Sequence, residues 1–499
     1  MNQANPIAII IGAGVAGLAS AIRLSLQGFA VIVFEKNNYP GGKLSAFEID
    51  GFHFDAGPSL FTQPTNIEAL FTLANEPIEA YLEYKKVDVA CKYFYEDGSF
   101  VNAYSDAEKF AEELQTQLGE DAGKVTSYLQ QSKNVYDKIG KIFLHHSLHK
   151  RKSLMQAPIA AALGATRGKF IFKSLHQLNA DHFTKPATVQ LFDRFATYNG
   201  SNPYKAPGML SLIPHLEQNE GTFYPKGGMI NITNALHALA VKMGVVFHFN
   251  SPVQRIIQHE QRVHGVVVNN ENIKGDVVVS NMDAYFSYKH LLKDEEKAKQ
   301  LLKQERSSSA LIFYWGMKKS FPSLQLHNIF FSRQYEQEFR QLFTNKSLSA
   351  DPTVYINITA KMEDGLAPEG MENWFVMINA PANAGQDWSK MKQVAKKNII
   401  GKLSRILGED ISEQIVVEET LDPIKIATET ASFMGSLYGT SSNSKFAAFL
   451  RHPNFSSSIK GLYFAGGSVH PGGGIPLCLK SAAIVSDLVK ADKKQWMGH

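Results

Sequence analysis

The stretch Ile7–Ser20, "IAIIIGAGVAGLAS", decides the fold. Its first five residues, Ile7 to Ile11, form a continuous apolar run of mostly β-branched side chains, the pattern of a parallel strand buried on both faces. Gly12, Gly14 and Gly17 follow as G-x-G-x-x-G. In that motif the first glycine makes a tight turn, the second lets the backbone approach a pyrophosphate, and the third lets the helix pack on the strand. The helix is predicted from Val15 to Gln27, ending at Gly28, a residue suited to a left-handed cap. A second strand, "AVIVF" from Ala30 to Phe34, then delivers Glu35 eighteen residues after Gly17, where an acid takes hydrogen bonds from ribose hydroxyls. Strand, glycine turn, helix, strand and acid together predict a dinucleotide-binding unit; the three glycines alone would be weak grounds for one.

Composition bounds what surrounds this unit. With 499 residues, 44% apolar and 20% charged, the chain buries a large core and is expected to fold as two or three domains. Cys91 and Cys478 are its only cysteines, which excludes a disulfide framework or a cysteine metal site and fits a reducing cytoplasm. The opening "MNQANP" lacks the basic start and apolar core of a secretory signal. The apolar stretch Ile7 to Leu24 has the length of a membrane span, but glycines at nucleotide-loop spacing interrupt it and the charged Glu35 follows, so it reads as buried strand, turn and helix. A net charge of +4 and an isoelectric point near 8.6 do not suggest nucleic acid.

After the acid comes "YPGGKLSAFEIDGFHFDAGPSLF", Tyr39 to Phe61. Gly41 and Gly42 permit close backbone approach, Lys43 offers a cation to the pyrophosphate, and Asp55, Gly57 and Pro58 make a second close turn. A second glycine-rich stretch stands near the other end of the chain: "GLYFAGGSVHPGGGIPLCLKSAA", Gly461 to Ala483. It reads as one more buried strand, a run of glycines at Gly472, Gly473 and Gly474, and an amphipathic helix with Pro476 in its first turn. That helix start carries free amide donors and a partial positive charge, suited to an electron-rich ring edge.

These motifs resemble the flavoprotein superfamily that includes amine oxidases, protoporphyrinogen oxidases and carotenoid desaturases. The resemblance implies an α/β fold, with a Rossmann-like domain that binds FAD, a mixed-sheet substrate domain, and a helical, membrane-facing lid. It implies cofactor contacts at Gly12, Gly14, Ala16, Gly17, Glu35, Lys36, Gly42, Lys43, Gly57, Pro58, Ser59, Gly466, Gly467, Gly474, Ile475 and Pro476. The stretch from Tyr224 to Val268 reads as a turn, a helix and short strands, and the same resemblance brings its Val253 to the adenine end of FAD. "GDVVVSNMD" then returns to the cofactor domain through Asn281. The expected cofactor domain is therefore discontinuous: residues 1–80, 222–290 and 455–499. Residues 81–221 and 291–454 make the substrate domain, with 105–215 as its helical, membrane-facing part.

Further segments narrow the resemblance to bacterial-type carotenoid desaturases: "RFATYNGSNPYKAPG" from Arg194, "HNIFFS" from His327, "DPTVYINITAK" from Asp351, "GSLYGTSSNSKFAAFLRHPN" from Gly435 and the closing "HPGGGIPL". Phytoene desaturases tend to carry an alanine in the last glycine run and a glycine after the final proline. Gly473 and Leu477 depart from that and resemble the branch that desaturates conjugated, often hydroxylated carotenoids at the 3,4 bond. The alternatives are a phytoene desaturase, a flavin-dependent carotenoid isomerase, an amine oxidase and, outside catalysis, an escort protein for prenylated lipids; the intact "HPGGGIP" argues against the escort.

The remaining expectations concern chemistry and location. There is no second G-x-G-x-x-G and no C-x-x-C, so electrons enter from the substrate and leave to a quinone or dioxygen. No catalytic residue and no metal are assigned: His327 and His470 read as packing or orienting histidines before they read as bases. The aromatic runs "LIFYWGM" and "NIFFS" serve as core strands, as tunnel lining, or as both. From Lys133 to Lys173 apolar residues alternate with a basic cluster at Lys150, Arg151 and Lys152, and Asp137 is the only acid between those lysines. Such a segment suits peripheral attachment to an anionic membrane, expected here on the cytoplasmic inner face.

Overall fold

The computed structural model describes residues 5–147, 149, 169–444 and 451–496. The opening motif folds as β1 (Ile7–Ile11), α1 (Val15–Leu26) and β2 (Ala30–Phe34). α1 ends slightly earlier than its sequence predicts: Gln27 caps it, and Gly28 takes a φ of +81° just beyond. β1 is the centre of a five-stranded parallel sheet ordered Val246–His248, β2, β1, Val277–Ser280 and Leu462–Phe464. These strands come from widely separated parts of the chain.

Both faces of this sheet are covered, which explains the unbroken apolar runs. Ala8 and Ile10 point into one core with Leu18, Ala19 and Ile22 of α1 and with Leu479, Ala482 and Val485 of the closing helix Ile475–Trp496. Ile9 and Ile11 point the other way, into a core shared with Val263, Val266 and Phe464. Each fully buried isoleucine or leucine contributes on the order of 2 kcal/mol, so α1 and the closing helix are clamped across β1.

A second, seven-stranded mixed sheet runs Ile415–Leu421, Ser309–Met317, Glu372–Ala380, Val354–Ile358, His327–Phe330, Val89–Phe94 and Phe100–Tyr104. Its pairs are antiparallel except that between His327–Phe330 and Val89–Phe94. Alternation gives it two faces of different use. Leu311, Phe313, Trp315, Trp374, Val376 and Ile378 pack in one core with Trp388, Ala395 and Ile399 of the helix Trp388–Leu407. Ile312, Tyr314, Phe375 and Met377 face the opposite way, into the cavity described below. The aromatic runs are thus core and cavity wall at once, on alternate residues.

Helices Ala107–Leu118, Ala122–Val135, Leu175–His182 and Pro186–Asp193 cover the far end of this sheet, sharing a core with Cys91, Tyr93, Val101 and Ala103. Asp106, Asp121 and Ser174 cap the first three through their side chains. The basic cluster Lys150, Arg151 and Lys152 lies outside the described residues. Among the described residues no helix is long and apolar enough to cross a membrane.

Candidate functional site

At the carboxyl end of β1 the chain turns through Gly12 and enters α1 with Gly14 as its cap, so no side chain occupies the helix start and no acid stands in its first turn. The first intrahelical bond runs from Leu18 N to Gly14 O, 2.9 Å, which leaves the amides of Val15, Ala16 and Gly17 without an intrahelical acceptor. Two close approaches require glycine. A Cβ on Gly17 would lie 2.1 Å from Gly12 O, and one on Gly14 would lie 2.6 Å from Asn281 Oδ1. Gly41 braces the turn from outside, its amide donating to Ala13 O at 2.8 Å.

Glu35 is buried beside this loop. One carboxylate oxygen accepts from Ala13 N at 2.7 Å and the other from Asn37 N at 2.9 Å, so the acid is oriented by backbone and still faces the cavity. Val253, Pro252, Ile230 and Asn234 line the same cavity. Lys43 is half-buried in the cavity wall; its ammonium donates to Leu437 O at 3.0 Å, and burial, opposed by nearby Asp283, pulls it below the ordinary lysine value. The exposed Lys36 donates to Thr428 O at 2.9 Å.

From there the cavity runs to the closing segment. Gly474, Ile475 and Pro476 open the closing helix on its wall, and Cys478 N donates to Gly474 O at 2.9 Å. A Cβ on Gly473 would meet Tyr438 at 2.8 Å, so this run lies directly against the segment Leu437–Gly439. Arg451, wholly buried, ties the two together: Nη1 donates to Tyr438 O at 2.8 Å and to Gly467 O at 3.4 Å. Burial lowers that guanidinium to about 10.

The same cavity, about 930 Å³, continues onto the second sheet, whose Ile312, Tyr314, Ile329, Tyr355, Phe375 and Met377 form an apolar wall. Two polar clusters interrupt that wall. In the first, Arg194 pairs with Glu217 at 3.0 Å while Tyr93 and Tyr198 complete the cluster through their hydroxyls; Arg194, Glu217 and Tyr93 are buried and Tyr198 half-buried. In the second, Ser59 Oγ, Tyr355 Oη and His327 Nδ1 form a chain with 2.8 Å at each link.

Of the residues expected to touch the cofactor, Gly12, Gly14, Ala16, Glu35, Lys36, Gly42, Lys43, Gly57, Pro58, Ser59, Val253, Gly467, Gly474, Ile475 and Pro476 line this one cavity. Gly17 and Gly466 stand behind it; a Cβ on Gly466 would come within 2.6 Å of Asn281 Nδ2, so both glycines serve packing. His470 is not on the wall: its Nε2 donates to His146 O at 3.0 Å, and burial lowers the ring to about 4. Asn281, expected from the sequence to return the chain to the cofactor domain, donates to Ala465 O at 2.9 Å, whereas Arg451 is a site residue that local sequence patterns do not single out. The run beginning at Arg194 was legible only as a resemblance. Among the described residues no group of side chains could hold a metal ion.

These residues fit FAD. Free first-turn amides at α1 suit a pyrophosphate, Glu35 suits ribose hydroxyls, and no atom lies within 4 Å of a Cβ built on Gly474, which leaves space beside the start of the closing helix.

Comparison with known proteins bears on the same cavity. The family model for flavin containing amine oxidoreductases matches residues 15–490. A 1-hydroxycarotenoid 3,4-desaturase from Flavobacterium sp. (strain P99-3) is 50% identical over 482 residues, covering 97% of this chain and 98% of its own. A 4,4'-diapolycopene oxygenase from Methylomonas sp is 32% identical over 498 residues, 98% of this chain and 99% of its own. Among solved structures, an oxidoreductase from Methanosarcina mazei has a TM-score of 0.63 at 16% identity, over 97% of this chain and 100% of that one. Cyclohexylamine oxidase from Brevibacterium oxydans IH-35A has a TM-score of 0.61 at 14% identity, over 98% and 100%. At these identities the structural likeness speaks for the fold alone.

Proposed function

The chain belongs to the family of flavin-containing amine oxidoreductases, and on that premise we propose that it is a carotenoid desaturase acting at the 3,4 bond of an acyclic or monocyclic carotenoid. Its cofactor is FAD, because the family carries a flavin and the loop at Gly12–Gly17 with Glu35 is built for a dinucleotide. The observation that carries the reading is the continuity of one cavity from that loop to the apolar face of the second sheet. The desaturase relative aligns over nearly the whole chain, so the reaction in its name comes to this chain with both halves of that cavity.

When bound, FAD supplies the acceptor for a hydride from a saturated carbon beside the polyene. The chain's residues do the rest. Amides at α1 and the Glu35 carboxylate would hold the nucleotide, and the start of the closing helix at Ile475 and Pro476 would face the ring edge that gains negative charge. Ile312, Tyr314, Phe375 and Met377 bind a long hydrocarbon and exclude water. Positive charge left on the substrate spreads along its conjugated chain, so loss of the neighbouring proton does not call for a strong base. We assign none.

Peripheral attachment to the inner membrane face, and a quinone or dioxygen as final acceptor, belong to the same proposal. They are supported by the basic cluster at Lys150, Arg151 and Lys152, by the lipid solubility of a polyene, and by the lack of a second dinucleotide motif.

The test is anaerobic: FAD-loaded protein is mixed with liposomes carrying acyclic carotenoids, and flavin and polyene absorption are followed together. Bleached flavin with a red-shifted polyene lighter by two hydrogens is the expected result. A product heavier by one oxygen when air is admitted would move the assignment toward the oxygenases, and unchanged spectra across the panel would defeat it.

A further inference from the structure

One polar side chain lining the apolar wall, that of His327, has its hydrogen-bonding role set by its neighbours. His327 opens the strand His327–Phe330, and its side chain is 1% exposed. Its Nδ1 lies 2.8 Å from the Tyr355 hydroxyl and 3.2 Å from Asn357 Nδ2. Asn357 Nδ2 also donates to Leu326 O at 3.2 Å, which orients the amide, and an amide nitrogen only donates. Nδ1 is therefore the acceptor. Burial, with the Arg194 cation nearby, pulls the imidazole down to about 3, so the ring is neutral and its one proton sits on Nε2.

That Nε2–H is buried and has no partner. Leaving a buried donor unpaired is costly, and an acceptor on a bound ligand removes that cost. A hydrocarbon polyene carries no acceptor, whereas a hydroxyl oxygen is one. Position agrees with chemistry: through Tyr355, His327 is tied to Ser59, beside the Gly57–Pro58 turn on the cofactor side of the cavity. In a carotenoid with a hydroxyl on carbon 1, that oxygen is only two carbons from carbon 3, so a group that binds it must stand close to the oxidised bond.

We propose that His327 donates a hydrogen bond from Nε2 to the hydroxyl oxygen at the end of the substrate and so selects hydroxylated over unhydroxylated carotenoids. Tyr355 and Asn357 are positioning residues that hold the tautomer, and Ser59 donates to Tyr355 to complete the chain. The inference rests on the desaturase reading above and names the feature of the substrate that this site reads.

The experiment uses full-length, FAD-loaded enzyme and two acyclic carotenoids that differ only in the end hydroxyl, with anaerobic flavin bleaching giving the limiting rate of flavin reduction and the apparent Kd for each. The wild type is expected to prefer the hydroxylated substrate. His327→Phe is expected to lose tenfold or more of the ratio of reduction rate to Kd on that substrate, mainly through Kd, and to stay within about twofold on the other. His327→Gln, whose amide nitrogen reaches the place of Nε2, restores most of the preference. The flavin spectrum of each variant reports that it is folded and loaded. Equal losses on both substrates would reduce His327 to a packing residue, and a preserved preference in His327→Phe would overturn the proposal while leaving the desaturase reading intact. A wild type bleached by no carotenoid would take down both.

Discussion

At the nucleotide end of the cavity the wall is mostly backbone: the Gly12–Gly17 turn, the first amides of α1, and Glu35 held by two main-chain donors. At the sheet end it is side chains: Ile312, Tyr314, Tyr355, Phe375 and Met377, interrupted by Arg194 with Glu217 and by His327. A phosphate or ribose presents the same groups whatever is attached to it, so fixed main-chain donors within a short stretch can bind it. A long hydrocarbon has no such groups, and only the shape and polarity of many side chains can distinguish one from another. The first half therefore tolerates almost no change of backbone, and the second is where specificity resides.

The largest expected effect sharpens the sheet half. Arg194 and Glu217 are both buried, so Glu217→Ala strands a cation and is expected to cost about 3–5 kcal/mol of stability, read as a lowered denaturant midpoint. Arg194→Met with Glu217→Leu should recover most of that loss; if the double variant is no better than the single one, the pair is not what holds this end together. The nucleotide half is broken more locally. Gly17→Ala forces a Cβ against Gly12 O and is expected to cost about 3 kcal/mol, roughly a hundredfold in FAD affinity, seen as flavin lost on gel filtration. Retained flavin in that variant would mean that the turn is softer than its geometry indicates.

The smallest effect belongs to a single buried carboxyl. Asp55 is buried, accepts from Met229 N at 2.9 Å, and is pushed up by burial to about 7. Its folded value stands above the ordinary carboxylate value, so the folded chain holds this proton more tightly than the unfolded one. The stability it contributes is full below about pH 4 and is lost as pH rises through 7. Between pH 6 and 7 the loss is about 1 kcal/mol, and Asp55→Asn should remove that slope from the melting curve.

The same contrast explains what could be read from the chain. β1, α1, β2 and Glu35 follow one another within a single short unit, and each signal there is local: a β-branched run, a glycine, an acid at fixed spacing. Tyr355 and His327 carried no such signal. His327 reads alone as an ordinary core histidine, and its chemistry arises only when strand pairing sets it opposite Asn357 and within reach of the Tyr355 hydroxyl. Arg451 is similar: a single polar residue whose partners, the carbonyls of Tyr438 and Gly467, are brought near by folding.

By itself, then, the sequence determined the parallel sheet and its dinucleotide loop, because backbone conformation at Gly12, Gly14 and Gly17 depends on neighbours in the chain. It also marked the Ser309–Met317 and His327–Phe330 runs as buried strands, because apolar side chains leave water wherever they end up. Which face of those strands would enclose a ligand, and which buried donor would be left without a partner inside it, was decided only in three dimensions. That choice depends on how strands far apart in sequence pair and which side the helix Trp388–Leu407 covers, and no local pattern encodes either.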